Sequence, residues 1–116
     1  MEISTAGVLS FNSGYGSAAT AYGCRAWVKF VGSSGAVSGS GNVTSVTRSA
    51  AGNYTVNFTN AMPDANYSAV VSAQGANSAG VTCQYLGTMA TTSIQTIFTT
   101  YNTQQDSTYT CVAVFR

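Results

Sequence analysis

Hydrophobic and polar residues alternate along most of this chain with a period of two. The clearest run is Tyr22 to Phe30, YGCRAWVKF. Tyr22, Cys24, Ala26, Val28 and Phe30 fall on one side, and Arg25, Trp27 and Lys29 on the other. The alternation predicts a half-buried β-strand with its Cys/Ala/Val/Phe side in a core. The opposite side is unusual, because the sole tryptophan stands between two cations where a solvent face is expected. Three readings fit it. The stems of Arg25 and Lys29 can shield Trp27 and add cation–π attraction. The face can be buried against another subunit, with Arg25, Trp27 and Lys29 as interface residues. Or Trp27 can be a stacking platform for a sugar or another ligand.

The remaining pattern supplies further strands. Ile3 to Phe11 reads as a weak strand, followed by a Gly/Ser/Ala stretch from Asn12 to Thr20 with turn or linker character. Residues 1–21 are thus expected to form an N-terminal arm or attachment segment ahead of a single domain over residues 22–116. Gly32 to Asn42 reads as a flexible loop with four glycines. Val43 to Arg48 and Asn53 to Thr59 predict a β-hairpin around Ser49–Gly52, with Tyr54, Val56 and Phe58 inward. Pro63-Asp64 marks a turn. Tyr67 to Ala73 resumes as a strand with Tyr67, Ala69, Val71 and Ala73 on one side. Val81 to Leu86 and Ser93 to Tyr101 follow, with loops at Gln74–Gly80 and Asn102–Ser107. Thr108 to Arg116 closes the chain with Tyr109, Cys111, Ala113 and Phe115 on one face and Val112 and Val114 on the other, which predicts a central strand or one covered on both sides. No stretch sustains a helical period. The prediction is an all-β fold, an antiparallel β-sandwich or jelly-roll-like domain of about seven or eight short strands.

Composition narrows the function. Of 116 residues only 6% are charged, and the net charge is +1. There is no field to capture nucleic acid or an anionic membrane, and neither is expected as a partner. Solubility falls to hydroxyls and amides, which suits strands with wet outer faces and also a protein that hides much of its surface in an assembly. No apolar run is long enough to span a bilayer. Glu2 stands where a signal peptide would carry a basic n-region, and no apolar segment follows it. The expectation is cytoplasmic synthesis without a signal peptide and incorporation into a larger particle.

Candidate chemistry is sparse. The carboxylates are Glu2, Asp64 and Asp106, and there is no histidine. An acid–base pair would have to be Asp64 with Asp106, both in loops, and nothing in the sequence brings them together. Cys24, Cys83 and Cys111 lie on apolar-alternating faces and read as buried thiols without a base to activate them. No metal site or cofactor is expected, and the chain is not read as an enzyme. Four sequons, at Asn42, Asn53, Asn57 and Asn66, are read as a by-product of polar strand faces.

Four runs, CRAWVKF (24–30), NVTSVTR (42–48), GNYTVNFTNAMPDANYS (52–68) and CVAVFR (111–116), resemble the C-terminal receptor-binding domain of bacteriophage tail fibres. The similarity covers residues 22–73 and returns at the last few; Gln74 to Thr110 is generic. The resemblance implies a virion structural protein, a trimeric β-structure at a fibre tip that adsorbs to host cell-surface glycans. Ligand contacts in such tips lie in variable loops, which here carry Tyr15, Asn77, Tyr101 and Asp106, with Trp27 as a further candidate. Trimerisation would also cover Trp27, Val112 and Val114. Those domains commonly end long fibres, whereas here only residues 1–21 precede the matching part. A second reading is therefore a capsid decoration (cement) protein whose arm reaches neighbouring virion proteins, and a third a non-catalytic carbohydrate-binding module.

Overall fold

A computed structural model describes residues 1–12, 14, 16–75, 82–100 and 103–116, with the backbone alone at 82, 83 and 85. Every regular element among them is a β-strand: β1 (Glu2–Ile3), β2 (Leu9–Phe11), β3 (Ala19–Thr20), β4 (Cys24–Val31), β5 (Val37–Gly41), β6 (Val43–Ala50), β7 (Asn53–Phe58), β8 (Ser68–Gln74), β9 (Thr82–Met89), β10 (Ser93–Thr100), β11 (Thr103–Gln104) and β12 (Tyr109–Phe115).

Two antiparallel sheets make the body. One runs β5-β4-β12-β8. The other runs β11-β10-β7-β6, with β9 also paired to β10. Their inner faces share one core. Ala26, Val28 and Phe30 of β4 and Val112 and Val114 of β12 meet Val43, Tyr54, Val56, Phe58, Ile94 and Phe98 from the opposite sheet. Phe30 and Tyr54, both fully buried, pack edge to face with centroids 5.0 Å apart. Phe58 meets Tyr67 in the same way at 5.9 Å. Each such side chain contributes about 1.5–3 kcal/mol by burial. The fold is all-β, antiparallel and sandwich-like.

The β6–β7 hairpin and the inward set Tyr54, Val56 and Phe58 stand as the alternation predicts. Tyr67, Ala69, Val71 and Ala73 likewise turn inward. β12 is central, paired to β4 on one side and β8 on the other.

Several expectations are corrected. The Gly-rich stretch after β4 is no open loop, since it contains β5, hydrogen-bonded to β4 from Trp27↔Gly41 to Phe30↔Val37. Ile3–Phe11 is not one strand. The chain turns back between β1 and β2, and β3 adds to form a separate three-stranded sheet. The polar stretch before Ser107 likewise includes β11. Cys24 and Cys111 are free, exposed thiols rather than core residues. Cys24 sits at the start of β4, where a bulge opposite Val114/Phe115 breaks the alternation. Cys111 faces out because Val112 is in register with Val28 and Val71, which fixes the other face of β12 as the core face. The Cys83 side chain lies outside the described residues.

The chain crosses from the first sheet to the second at Asn42, whose φ of 55° is left-handed. Its amide donates to the carbonyls of Arg25 and Asn60, both at 3.1 Å, and its Oδ1 accepts from the Asn60 N–H at 2.8 Å. Asn tolerates that conformation, and its short amide satisfies three backbone groups at the corner. This sequon asparagine is a corner lock rather than an ornament of a polar strand face.

Candidate functional site

The outer face of the four-stranded sheet departs from the hydroxyl-and-amide surface elsewhere. Inward Ala26, Val28 and Phe30 force Arg25, Trp27 and Lys29 outward, and all three are exposed. The strand register sets two rows across the sheet, Gly41–Trp27–Ala113–Val70 and Gly39–Lys29–Cys111–Ser72. Trp27 is 48% exposed and Val70 61%. They stand two strands apart, about 10 Å. Ala113 between them, and Cys111 and Ser72 in the next row, are short, so the sheet face sinks into a trough of about 320 Å³. Such a volume is at the low end for ligand sites.

Glycines of β5 hold the indole in place. A Cβ on Gly41 would lie 2.5 Å from Trp27 Nε1, and one on Gly39 3.4 Å from Cη2. The ring therefore rests on bare backbone, which the Gly-x-Gly spacing supplies in register. A second depression of about 310 Å³ adjoins, bordered by Tyr22, Asn66, Ser68, Phe115 and Arg116. Phe115 stands on the same face of β12 as Ala113, so the two depressions form one surface.

The Lys29 ammonium pairs with a ring other than that of Trp27. Its Nζ lies 4.6 Å from the centre of the Tyr109 ring, a cation–π contact that fixes the ammonium beside the trough.

The other candidates fare differently. Val112 and Val114 are core residues, 3% and 1% exposed, and cannot form a surface interface. The surface of β12 consists of Tyr109, Cys111, Ala113 and Phe115 instead. Tyr15, Asn77 and Tyr101 lie outside the described residues. Asp106 is described, but its carboxylate is already occupied. Arg48 Nε and Nη2 donate to it at 2.9 and 2.7 Å, the Gly52 N–H at 3.1 Å, and the Tyr54 hydroxyl at 3.1 Å. Tyr54 in turn accepts from the Ser107 N–H at 3.1 Å. Arg48 holds the Asp106 carboxyl below its ordinary range against the opposing effect of burial. Burial pushes the Tyr54 phenol up. Gly52, at φ 71°, fits here because a Cβ would lie 2.3 Å from the Phe98 carbonyl oxygen. This is a structural clasp over the end of the sandwich, with the carboxylate engaged by an arginine, a backbone N–H and a phenol of the chain itself.

Asp64 is bound separately by Arg116 at 2.5 Å, which lowers its pKa. The two aspartates thus answer to different arginines. No group of three or more His, Cys, Asp or Glu side chains comes together among the described residues.

The residues that sequence reading missed are Val70, Ala113, Gly39 and Gly41. Val70 had a signal: it is the apolar residue on the Ser68/Ser72 side of its strand. No protein-family model, curated protein or solved structure matches this chain.

Proposed function

We propose that this chain is a bacteriophage virion structural protein, a tail-fibre receptor-binding domain that recognises host surface polysaccharide as a trimer. The observation that carries the reading is Trp27, laid on the β5 glycines and half open to solvent at the edge of an apolar trough. A flat indole face stacks on the apolar side of a sugar ring. Phe115 and Tyr22 extend the surface to suit a chain of sugars rather than a single ring. Several copies on one fibre would raise weak single-site binding by orders of magnitude.

The reading as a capsid decoration protein is favoured by a different observation. The sheet β1-β2-β3 has strands of 2, 3 and 2 residues, and Met1, Ile3, Val8, Leu9 and Phe11 on or beside it are all exposed. So small a sheet is stabilised by packing against something else, as an arm on a neighbouring virion protein would be.

Gold-labelled antibody against this chain on intact virions separates the two. Label at the tail supports receptor binding, and label over the head supports decoration. Virions without label contradict both and leave a free-standing carbohydrate-binding module.

A further inference from the structure

We propose that the trough at Trp27 binds an acidic polysaccharide, one whose repeat carries uronic acid carboxylates; this rests on the glycan-binding reading above. The grounds are a census of charge. The chain has four cations and three carboxylates, and every one of these side chains is among the described residues. Arg48 is taken by Asp106 and Arg116 by Asp64. The two cations left without a carboxylate are Arg25 and Lys29. Both project from the outer face of β4, on either side of Trp27 in the strand; Lys29 borders the trough itself, and Arg25 a neighbouring depression with Tyr22 and Arg116. At the rise of a β-strand the Cα of each is about 7 Å along from that of Trp27. The net charge of +1 is therefore not spread over the molecule. Half of its cations flank one aromatic ring.

Those neighbours also decide what the ligand must bring. Ammonium and guanidinium groups are donors only. Arg25 and Lys29 face out unpaired, and no carboxylate of this chain is paired with either. A sugar stacked on Trp27 thus presents its edges to donors on both sides, and carboxylates are the strongest acceptors it can offer them. Tyr109 meets the Lys29 ammonium at 4.6 Å with its ring face, which leaves N–H donors on the side away from the ring. With about 14 Å of strand between their Cα atoms, a sugar chain lying along β4 can offer each cation its own acidic group.

The competing occupant is a second copy of this chain. Its arm carries Glu2, the one carboxylate side chain outside the two ion pairs, among exposed apolar residues.

The test uses immobilised polygalacturonate, hyaluronan and alginate, each beside its carboxyl-reduced neutral derivative. The proposal predicts retention on the acidic polymers, weakened at least tenfold on the reduced forms. Arg25→Gln and Lys29→Gln should each weaken binding about tenfold with an unchanged melting temperature, and added salt should weaken it further. Equal retention on acidic and reduced polymers overturns the acidic class while leaving glycan binding intact. Absence of retention on every polymer overturns both. Concentration-dependent burial of Trp27 without polysaccharide, removed by Glu2→Gln, assigns the trough to a second copy and overturns the proposal.

Discussion

The sandwich has two solvent faces, and they solve the same problem in opposite ways. On the five-stranded sheet the outward side chains of β6, β7 and β10 are mostly small and polar, and they bond to one another. Asn57 Nδ2 donates to Ser45 Oγ at 3.2 Å and Thr47 Oγ1 at 3.1 Å, and Gln95 Nε2 donates to Asn53 Oδ1 at 2.8 Å. Thr44 and Thr59 hydroxyls pair at 2.9 Å. On the four-stranded sheet the outward set holds Trp27, Val70, Ala113, Cys111, Tyr109 and Phe115 with Lys29 and Arg25, beside Ser68, Ser72 and Gln74 of β8. The first face bonds many of its polar groups to one another and leaves the rest to water. The second leaves apolar surface and unpaired cations open. A chain that can write a wet sheet face in Ser, Thr, Asn and Gln, and does so on one side, has a different use for the other.

Substitutions can break that contrast. The largest effect is expected from Trp27→Ala, which should weaken polysaccharide binding about thirty-fold or more while moving stability by only about 0.5 kcal/mol. Titration calorimetry beside thermal melts reads both. Asp106→Ala should do the reverse. It strips partners from Gly52 and the buried Tyr54 hydroxyl and should cost about 2 kcal/mol, less than a fully buried network because the Arg48–Asp106 pair is partly exposed and screened. Binding should stay within about twofold of wild type.

The same clasp gives stability a pH dependence. Asp106 and Asp64 both have folded-state values lowered below the ordinary 3.8. Their contribution is fully present above that value and is lost as the pH falls through the lowered ones. The denaturation midpoint should therefore hold near neutrality and drop below about pH 4, and Asp106→Asn should flatten the drop. Gly41→Val sharpens the comparison from the backbone side. The new side chain would push the indole off its seat, shifting tryptophan emission and weakening binding about tenfold. Smallest of all, Asn57→Ala on the polar face should cost about 0.5–1 kcal/mol by denaturant titration and leave binding unchanged.

What the sequence revealed follows from what is local. β7 was legible because each inward residue is large and each outward one polar. β5 was not, because its outward positions are glycines that receive a neighbour's indole instead of contributing side chains of their own. The register that pairs Gly41 with Trp27 lies in the fold. Asp106 looked like a free loop carboxylate since its partner Arg48 is 58 residues away. The alternation of β12 was read correctly, but which side faced the core depended on the strands either side of it. Trp27 between two cations on the outward side, by contrast, was visible from the alternation alone, whereas its 48% exposure comes from the fold.

The most direct test uses the fact that Trp27 is the only tryptophan. Its acrylamide quenching is measured with and without an acidic bacterial surface polysaccharide, at a protein concentration where binding is saturated. The account predicts ready quenching of the free protein and clear protection, with a blue-shifted emission, when the polysaccharide is bound. Binding that leaves the quenching of Trp27 unchanged would contradict it and move the ligand site off the four-stranded sheet.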